Sequence, residues 1–241
     1  MDPGSGCVLI TGSARRLGRA LAEALAKQGT PLALHYHRSR KEAEALAAEV
    51  KSEAHLFGAD LAAPGAAEQL ARDVWARCGP IAGLVNNASI YAPTPLSGLD
   101  RATWHETLEV NLTAPVWLSI HLGRRMREAG GGSIVQVGDW SADRPYTGYL
   151  PYTVSKGALE TATRALAREL APRVRVNMIR LGPILLPEGS GADYEARVRR
   201  KAPLRRVGGT DAYVSAVTHL LGPATYCTGS ILTVDGGRGW V

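Results

Sequence analysis

The sequence predicts an α/β protein built on a parallel sheet. Short apolar runs of strand length recur along the chain, amphipathic stretches of helical period separate them, and a glycine-bearing turn joins the first run to the first helical stretch. The runs lie at 7–10, 31–36, 54–57, 82–86, 133–138, 174–180 and 230–234. Strands that alternate with helices pair in parallel, because each crossover carries the chain back to the same end of the sheet. The expectation is a parallel sheet of about seven strands, doubly wound, with helices on both faces and ligands at the carboxyl ends of the strands. A chain of 241 residues suits one such domain, so 1–241 is read as a single unit without internal repeat or low-complexity tract.

The first strand, Cys7-Val-Leu-Ile10, leads through Thr11-Gly-Ser-Ala-Arg-Arg-Leu-Gly18 into a helix at 17–27 with Leu17, Ala20, Leu21, Ala24 and Leu25 on one face. A strand, a glycine turn and a helix N-terminus together direct backbone N–H groups and the positive end of the helix dipole at a ligand, which suits phosphate. Gly12, Arg16, Leu17 and Gly18 are the candidate contacts, with Arg16 standing where a dinucleotide fingerprint has a glycine. The second strand ends in His35-Tyr-His-Arg-Ser39. An acidic residue there would accept from a ribose 2′-hydroxyl, whereas cations and a hydroxyl suit a 2′-phosphate. Arg38 and Ser39, with His37 a weaker third, therefore point to NADP(H); the bland alternative is that Arg38 is a solvated surface charge.

Later strand ends carry the other candidates. Asp60 and Leu61 follow the third, Asn86-Asn87-Ala88 closes the fourth, Gly138-Asp139 the fifth and Leu181-Gly182-Pro183 the sixth. A long helix is expected at 103–129, with polar Asn111 and Pro115 in its middle; the Gly- and Pro-rich stretch 183–191 and the short helix after it read as a substrate lid. Tyr152 and Lys156 are four apart on one helical face, so the ammonium approaches the phenol. That cation is expected to favour phenolate and bring a group of ordinary pKa ~10 within reach of proton transfer near neutral pH.

Taken in order, Thr11-Gly12 with Gly18, Asp60, Asn86-Asn87-Ala88, Asn111, Tyr152 with Lys156, and Val234-Asp235-Gly236-Gly237 resemble the short-chain dehydrogenase/reductase family along essentially the whole chain. Arg16, His35-Tyr-His-Arg-Ser39, Asn87-Ala-Ser89, Pro93-Thr-Pro-Leu96 and Asp139 resemble its pteridine reductases. The resemblance implies an NADPH-dependent oxidoreductase with a Rossmann-like fold. In it Tyr152 donates the proton, Lys156 biases Tyr152 and holds the nicotinamide ribose, and Asn111 holds a water linking the lysine to solvent. Asp60, Leu61, Asn87, Ala88, Gly182 and Ile184 would line the cofactor. Arg16, Ser89, Tyr91 and Asp139 would surround the substrate, Tyr91 stacking on a pterin ring. The family also pairs its long helices, here 103–129 and 152–170, across two-fold axes, so a homotetramer is expected, with Leu108, Leu112, Val116 and Leu118 supplying an apolar face.

Asp139 occupies the family's serine position. An ionised carboxylate accepts hydrogen bonds and cannot polarise a ketone, so it suits a ring with amino and N–H donors, such as a pterin or folate. In the other reading Asp139 caps the following turn and the role passes to Ser141. Two departures from the family, Arg180-Leu-Gly-Pro183 in place of a small residue and Pro-Gly, and Trp140 beside Asp139, leave open whether Arg180 projects into the pocket and whether Trp140 forms its wall.

The formal charge of +6 comes from scattered basic residues without interleaved aromatics, which favours small anionic ligands over nucleic acid. No apolar run reaches the roughly 18 residues of a membrane span, and no signal segment leads the chain, so a soluble, cytoplasmic protein is expected. Cys7, Cys78 and Cys227 have neither metal-ligand nor disulfide-framework spacing, and no metal is expected. Besides the pterin reductase, two readings stand: a generic carbonyl reductase, such as one for 3-oxoacyl thioesters, and a non-catalytic NADP(H)-binding regulator. Asp139 argues against the first, and intact Asn111, Tyr152 and Lys156 against the second.

Overall fold

The computed structural model describes residues 6–187 and 189–240. Along the chain run β1 (Cys7–Ile10), α1 (Arg16–Lys27), β2 (Leu32–Tyr36), α2 (Arg40–Glu49), β3 (Ala54–Gly58), α3 (Ala66–Cys78) and β4 (Ile81–Asn86). They are followed by α4 (Arg101–Leu108), a π-helical turn Glu109–Thr113, α5 (Ala114–Glu128), β5 (Gly132–Asp139), α6 (Leu150–Leu170), β6 (Val174–Leu181), α7 (Ala192–Lys201), α8 (Gly209–Leu221) and β7 (Ile231–Val234). The seven strands form one sheet in the order β3-β2-β1-β4-β5-β6-β7, every pair parallel.

Side chains alternate across the pleat, so each inner strand serves two cores. Cys7 and Leu9 of β1 face Leu70 and Val74 of α3, Leu118 and Leu122 of α5 and Leu166 and Leu170 of α6. Val8 and Ile10 face Leu21 and Leu25 of α1, Leu46 of α2 and Val217 and Leu220 of α8. Leu118, expected on an external apolar face, is fully buried in the first of these cores and takes no part in a surface.

The expected helix 103–129 is divided. Pro115 has no N–H for the Asn111 carbonyl, and its ring would crowd that carbonyl in a regular helix. The chain widens instead, with the Ala114 N–H bonding back to the Glu109 carbonyl. Such a turn re-aims the side chains it carries. Asn111 is one of them.

The order of the sheet reverses at β1. The chain from β1 leaves toward β2, that from β4 toward β5, and a crevice opens between their carboxyl ends. Two glycines let the backbone close the floor of this crevice. A Cβ on Gly18 would lie 2.2 Å from the Gly12 carbonyl oxygen, and Gly12 itself has φ 63 and lies 3.0 Å from the Ala88 Cα by the same construction. Arg16, between them, adopts φ 51, a left-handed conformation that costs a non-glycine residue about 1 kcal/mol or more. This is the physical reason a glycine is expected there.

Candidate active site

A cleft of about 1200 Å³ occupies the crevice and extends from the glycine turn to α7. Of the predicted positions, Gly12, Arg16, Leu17, Gly18, His37, Asp60, Leu61, Asn87, Ala88, Ser89, Tyr91, Asp139, Tyr152, Lys156, Gly182 and Ile184 all line it. Arg38 and Ser39 lie in an adjoining recess of about 310 Å³ that they share with Gly12, Arg15 and His37. Asn111 alone of the candidates lines neither.

The floor is a hydrogen-bonded latch. Thr11 Oγ1 accepts from the Asn87 and Ala88 N–H groups, each at 3.0 Å. Asn87 Nδ2 donates to the carbonyls of Thr11 (2.9 Å) and Gly12 (3.1 Å), and its Oδ1 accepts from the buried Tyr213 hydroxyl at 2.9 Å. Asn87 thus spends its side chain on the turn and offers the cleft only its edge and backbone. His35, in the run that ends β2, belongs to the same floor rather than to an anion site. The Gly12 N–H donates to its Nδ1 at 3.1 Å, which leaves Nε2–H to donate to the Ala59 carbonyl at 3.1 Å. Burial lowers its pKa from 6.5 to about 4, so the ring is neutral.

These features fit a dinucleotide phosphate. The cradle between Gly12 and Gly18 is one that any Cβ would fill, no side chain caps the first turn of α1, and no acidic residue stands in it. Beside it the recess gathers Arg15, His37, Arg38 and Ser39, a set that suits a further phosphate. Asp60 accepts from the Ala62 N–H at 3.0 Å, with His37 Nε2 at 3.7 Å from its other oxygen.

At the far side Tyr152 and Lys156 project from α6, both buried. Lys156 Nζ donates to the Val137 carbonyl at 2.8 Å and lies 5.7 Å from the Tyr152 ring centroid. Burial lowers its pKa from 10.5 to about 8, partly offset by the Asp139 charge. Tyr152 departs from expectation. Burial, and after it the charge of Asp139 and a hydrogen bond to its carboxylate, raise the phenol well above its ordinary value. The phenol is therefore held protonated, and Lys156 does not turn it into phenolate in this arrangement.

Asp139 combines both roles the sequence left open. Its Oδ1 accepts from the Ser141 N–H at 2.7 Å, capping the turn Trp140–Ala142, while its charge acts on the Tyr152 phenol in the cleft. Ser141 is fully buried and lines no part of the cleft. Asn111, expected in a water relay, commits its amide to protein. Oδ1 accepts from Ile90 N–H (2.8 Å) and Ser89 Oγ (3.2 Å), and Nδ2 donates to the Ile90 carbonyl (2.9 Å) and Ser155 Oγ (3.3 Å). It fixes the Ser89–Ile90 wall from behind.

Tyr91, half exposed, stacks on Tyr149 at 4.7 Å and 14° and meets Tyr152 edge-on at 4.8 Å. The Thr94 N–H donates to the Gly148 carbonyl, which pins the two loops together. Tyr146, edge-on to Tyr149 and hydrogen-bonded to the Trp140 indole, completes the cluster. Sequence reasoning missed Tyr146 and Tyr149, although Tyr146, Tyr149 and Tyr152 recur at a spacing of three. It also missed Tyr194 of α7 and Arg238, both in the lining. Trp140 does form cleft wall. Arg180 does not enter the cleft: its guanidinium is drawn to Asp143 and Glu160, and Glu160 also pairs with Arg164 at 2.6 Å. Arg16 Nη2 donates to the Leu186 carbonyl at 3.2 Å, tying the glycine turn to the loop before α7.

The sequence matches the family model described as enoyl-(acyl carrier protein) reductase over residues 12–238. The chain belongs to the short-chain dehydrogenase/reductase family. It is 33% identical to pteridine reductase 1 of Leishmania tarentolae, covering 98% of this chain and 97% of that protein. It is also 33% identical to the granaticin polyketide synthase putative ketoacyl reductase 2 of Streptomyces violaceoruber, over 98% of this chain and 96% of that protein. Among solved structures it resembles FolM alternative dihydrofolate reductase 1 from Brucella canis, complexed with NADP, with a TM-score of 0.90, 35% identity and coverage of 100% and 97% of the two chains.

The lysine provides a test of this electrostatic arrangement in the ligand-free protein. Between about pH 8 and 10.5 the unfolded chain holds a proton on Lys156 that the folded chain has released, so stability should rise with pH across that window; below it the full cost of the buried charge remains. Urea unfolding of wild type and Lys156→Met at pH 7.5, 9 and 10.5 should show the wild type gaining on the variant as pH rises, and parallel curves would contradict it.

Proposed function

We propose that the chain is an NADPH-dependent reductase of pterin or folate-type rings, taking a dihydropterin to a tetrahydropterin. The observation that carries this reading is Asp139, whose carboxylate stands in the cleft against the Tyr152 phenol where the family has a serine. A carboxylate there is matched by a ring that donates, and a pterin presents an amino group and ring N–H groups. The pteridine reductase and the dihydrofolate reductase among its relatives support the same reading. The ketoacyl reductase relative keeps a carbonyl reductase in view, but a ketone offers Asp139 nothing to accept.

NADPH, when bound, supplies a hydride to the C=N carbon. Gly12, Arg16, Leu17 and Gly18 would hold its pyrophosphate, and Arg38, Ser39 and His37 its 2′-phosphate. Asp60, Leu61, Asn87 and Ala88 would line its adenosine and ribose side, and Gly182 and Ile184 its nicotinamide side. Lys156 would engage the nicotinamide ribose. Tyr152 gives its proton to the ring nitrogen. Asp139 keeps that proton on the phenol until substrate N–H donors occupy the carboxylate, which disperses its charge and lowers the cost of forming phenolate beside it. Lys156 then faces the phenolate and returns a proton to it. The Asn111 carbonyl, without an i+4 donor because of Pro115, is an acceptor for a relay from Lys156 toward solvent. Tyr91, Ser89 and Arg16 confine the ring.

For assembly, we read the chain as a homotetramer. Trp117 on α5 and Leu150 and Val154 on α6 are exposed apolar side chains on the two helices the family pairs, and Leu232 lies on the open edge strand β7. A sedimentation experiment showing a monomer at micromolar concentration would remove this reading. No described helix is long and apolar enough to cross a membrane, and the free thiols of Cys7, Cys78 and Cys227 suit the reducing cytoplasm.

Two substitutions test the chemistry. Asp139→Ser retains a capping oxygen for the Ser141 N–H but removes the acceptor for ring donors. Loss of a charged hydrogen bond is worth roughly 1.5–3 kcal/mol, so kcat/KM for a dihydropterin should fall by about one to two orders of magnitude while ketone reduction holds or improves. Full dihydropterin activity in this variant would make Asp139 a structural cap and the carbonyl reductase the better reading. Arg38→Asp turns an attraction for the 2′-phosphate into a repulsion, and should raise KM for NADPH far more than for NADH. Equal effects on both cofactors would make Arg38 a solvated surface charge.

A further inference from the structure

Two arginines on the α7 side of the cleft have no carboxylate partner among the described residues. Arg238 lies with its Cζ 5.0 Å from the Trp140 ring centroid, and Arg197 with its Cζ 5.1 Å from that of Tyr194. Both rings line the cleft, as does Arg238 itself. Arg238 reaches toward the Val198 carbonyl at 3.5 Å, which places it beside the residue that follows Arg197 on α7. Its backbone is fixed as well, because Asp235 accepts from the Gly237 N–H (2.8 Å) and the Gly239 N–H (2.6 Å) on either side of it.

A guanidinium laid against an aromatic ring uses its face for the contact and keeps its N–H donors, which lie in its plane, available for a planar anion. Arg238 brings one such group into the cavity lining, and Arg197, itself outside the lining, lies over Tyr194, which lines it. The surrounding charge has the same sign: Arg199, Arg200, Lys201, Arg205 and Arg206 follow Arg197, against only Asp193 and Glu195 on α7, of which Glu195 is already paired with Arg199. That field draws anions toward this side. The cleft is therefore polarised. Asp139 offers lone pairs to a donor-bearing ring, and the wall that begins at its neighbour Trp140 leads to Arg238, whose guanidinium lies near Val198, the residue after Arg197.

We propose that Arg197 and Arg238 form a carboxylate subsite, and that the substrate is a folate-type pterin carrying a glutamyl tail rather than an unconjugated pterin. The proposal rests on the pterin-reductase reading above. In it the ring sits against Asp139 and Tyr152, the p-aminobenzoyl portion passes along the aromatic wall, and the tail carboxylates meet the two forks, where a bidentate pair is the favoured geometry.

The experiment is steady-state NADPH oxidation by the full chain with dihydrofolate, with a tail-less 6-hydroxyalkyl dihydropterin and with a 3-oxoacyl-coenzyme A thioester, in wild type, Arg197→Met, Arg238→Met and Arg238→Lys. The ratio of kcat/KM for dihydrofolate to that for the tail-less pterin should fall about tenfold or more in each Met variant, through KM, and less in the Lys variant, which keeps the charge but not the fork. Added NaCl should raise the wild-type KM for dihydrofolate more than that for the tail-less pterin. Arg197 is exposed on its helix, so its variant reports on binding even if Arg238→Met does not fold. An unmoved ratio in Arg197→Met overturns the subsite and leaves the pterin reading standing. Reduction of neither substrate by wild type overturns that reading, and the subsite with it. A loss confined to a 3-oxoacyl-coenzyme A thioester would assign the arginines to a phosphate-bearing substrate and also overturn the proposal.

Discussion

Two neighbouring parallel strands whose chains depart in opposite directions have to be held together at the point where they part, and here Thr11 and Asn87 do so. The Thr11 hydroxyl collects two N–H groups from the end of β4, while the Asn87 amide returns two bonds to the end of β1. Tyr213 of α8 closes the remaining acceptor from below. Buried polar groups satisfied in this way define one geometry, because any slip of β1 against β4 would leave several of them unpaired at once. The glycine cradle, the Ser89–Tyr91 wall and the depth of the crevice all take their positions from this latch. Asn111 extends it: a π-turn forced by Pro115 brings its amide behind Ile90, so the wall is fixed on both sides.

Much of this was legible because strand ends are punctuated in the sequence. Gly12, Asp60, Asn87, Asp139 and Gly182 each follow an apolar run, and a parallel sheet brings such positions to one edge whatever the details of packing. What was not legible depended on where a side chain turns. His35 reads as one more polar residue at the end of a strand, but the pleat points it inward, under the glycine turn, where burial keeps it neutral. Whether Arg180 enters the pocket was likewise left open by the sequence. Glu160 lies one turn beyond Lys156 on α6 and Asp143 in the loop after β5, so two carboxylates far apart in sequence claim it. The tyrosines at 146 and 149 had a visible spacing, but the stacking of Tyr149 on Tyr91 depends on the Thr94–Gly148 hydrogen bond between two loops.

The electrostatics of the reacting pair also run against the sequence argument, for a reason that spacing cannot supply. Four residues on a helix bring Lys156 near Tyr152, yet Lys156 is turned to the Val137 carbonyl and its own charge is weakened by burial. Asp139 approaches from another element, and its negative charge acts on the phenol in the opposite sense. A serine at that position would leave the lysine unopposed. With a carboxylate there, the acidity of Tyr152 depends on what the carboxylate is bonded to, so in the proposed reaction ring recognition and proton donation would be one event rather than two.

That coupling bears on specificity. In the proposed reaction, a substrate that cannot donate to Asp139 would leave the phenol in its most reluctant state, so the site would discriminate against ketones through reactivity as well as through binding, and discrimination by two routes exceeds what one hydrogen bond supplies. The aromatic wall works in the same direction. Tyr91, Tyr149 and Tyr146 give the cleft an aromatic lining beside Asp139, which favours a planar heterocycle over a flexible acyl chain whose rotors would have to be frozen. On the proposed function, a carboxylate to orient the ring, rings to flatten it and a phenol whose proton waits on that orientation would be mutually dependent, so removing any one of them would lower the value of the other two.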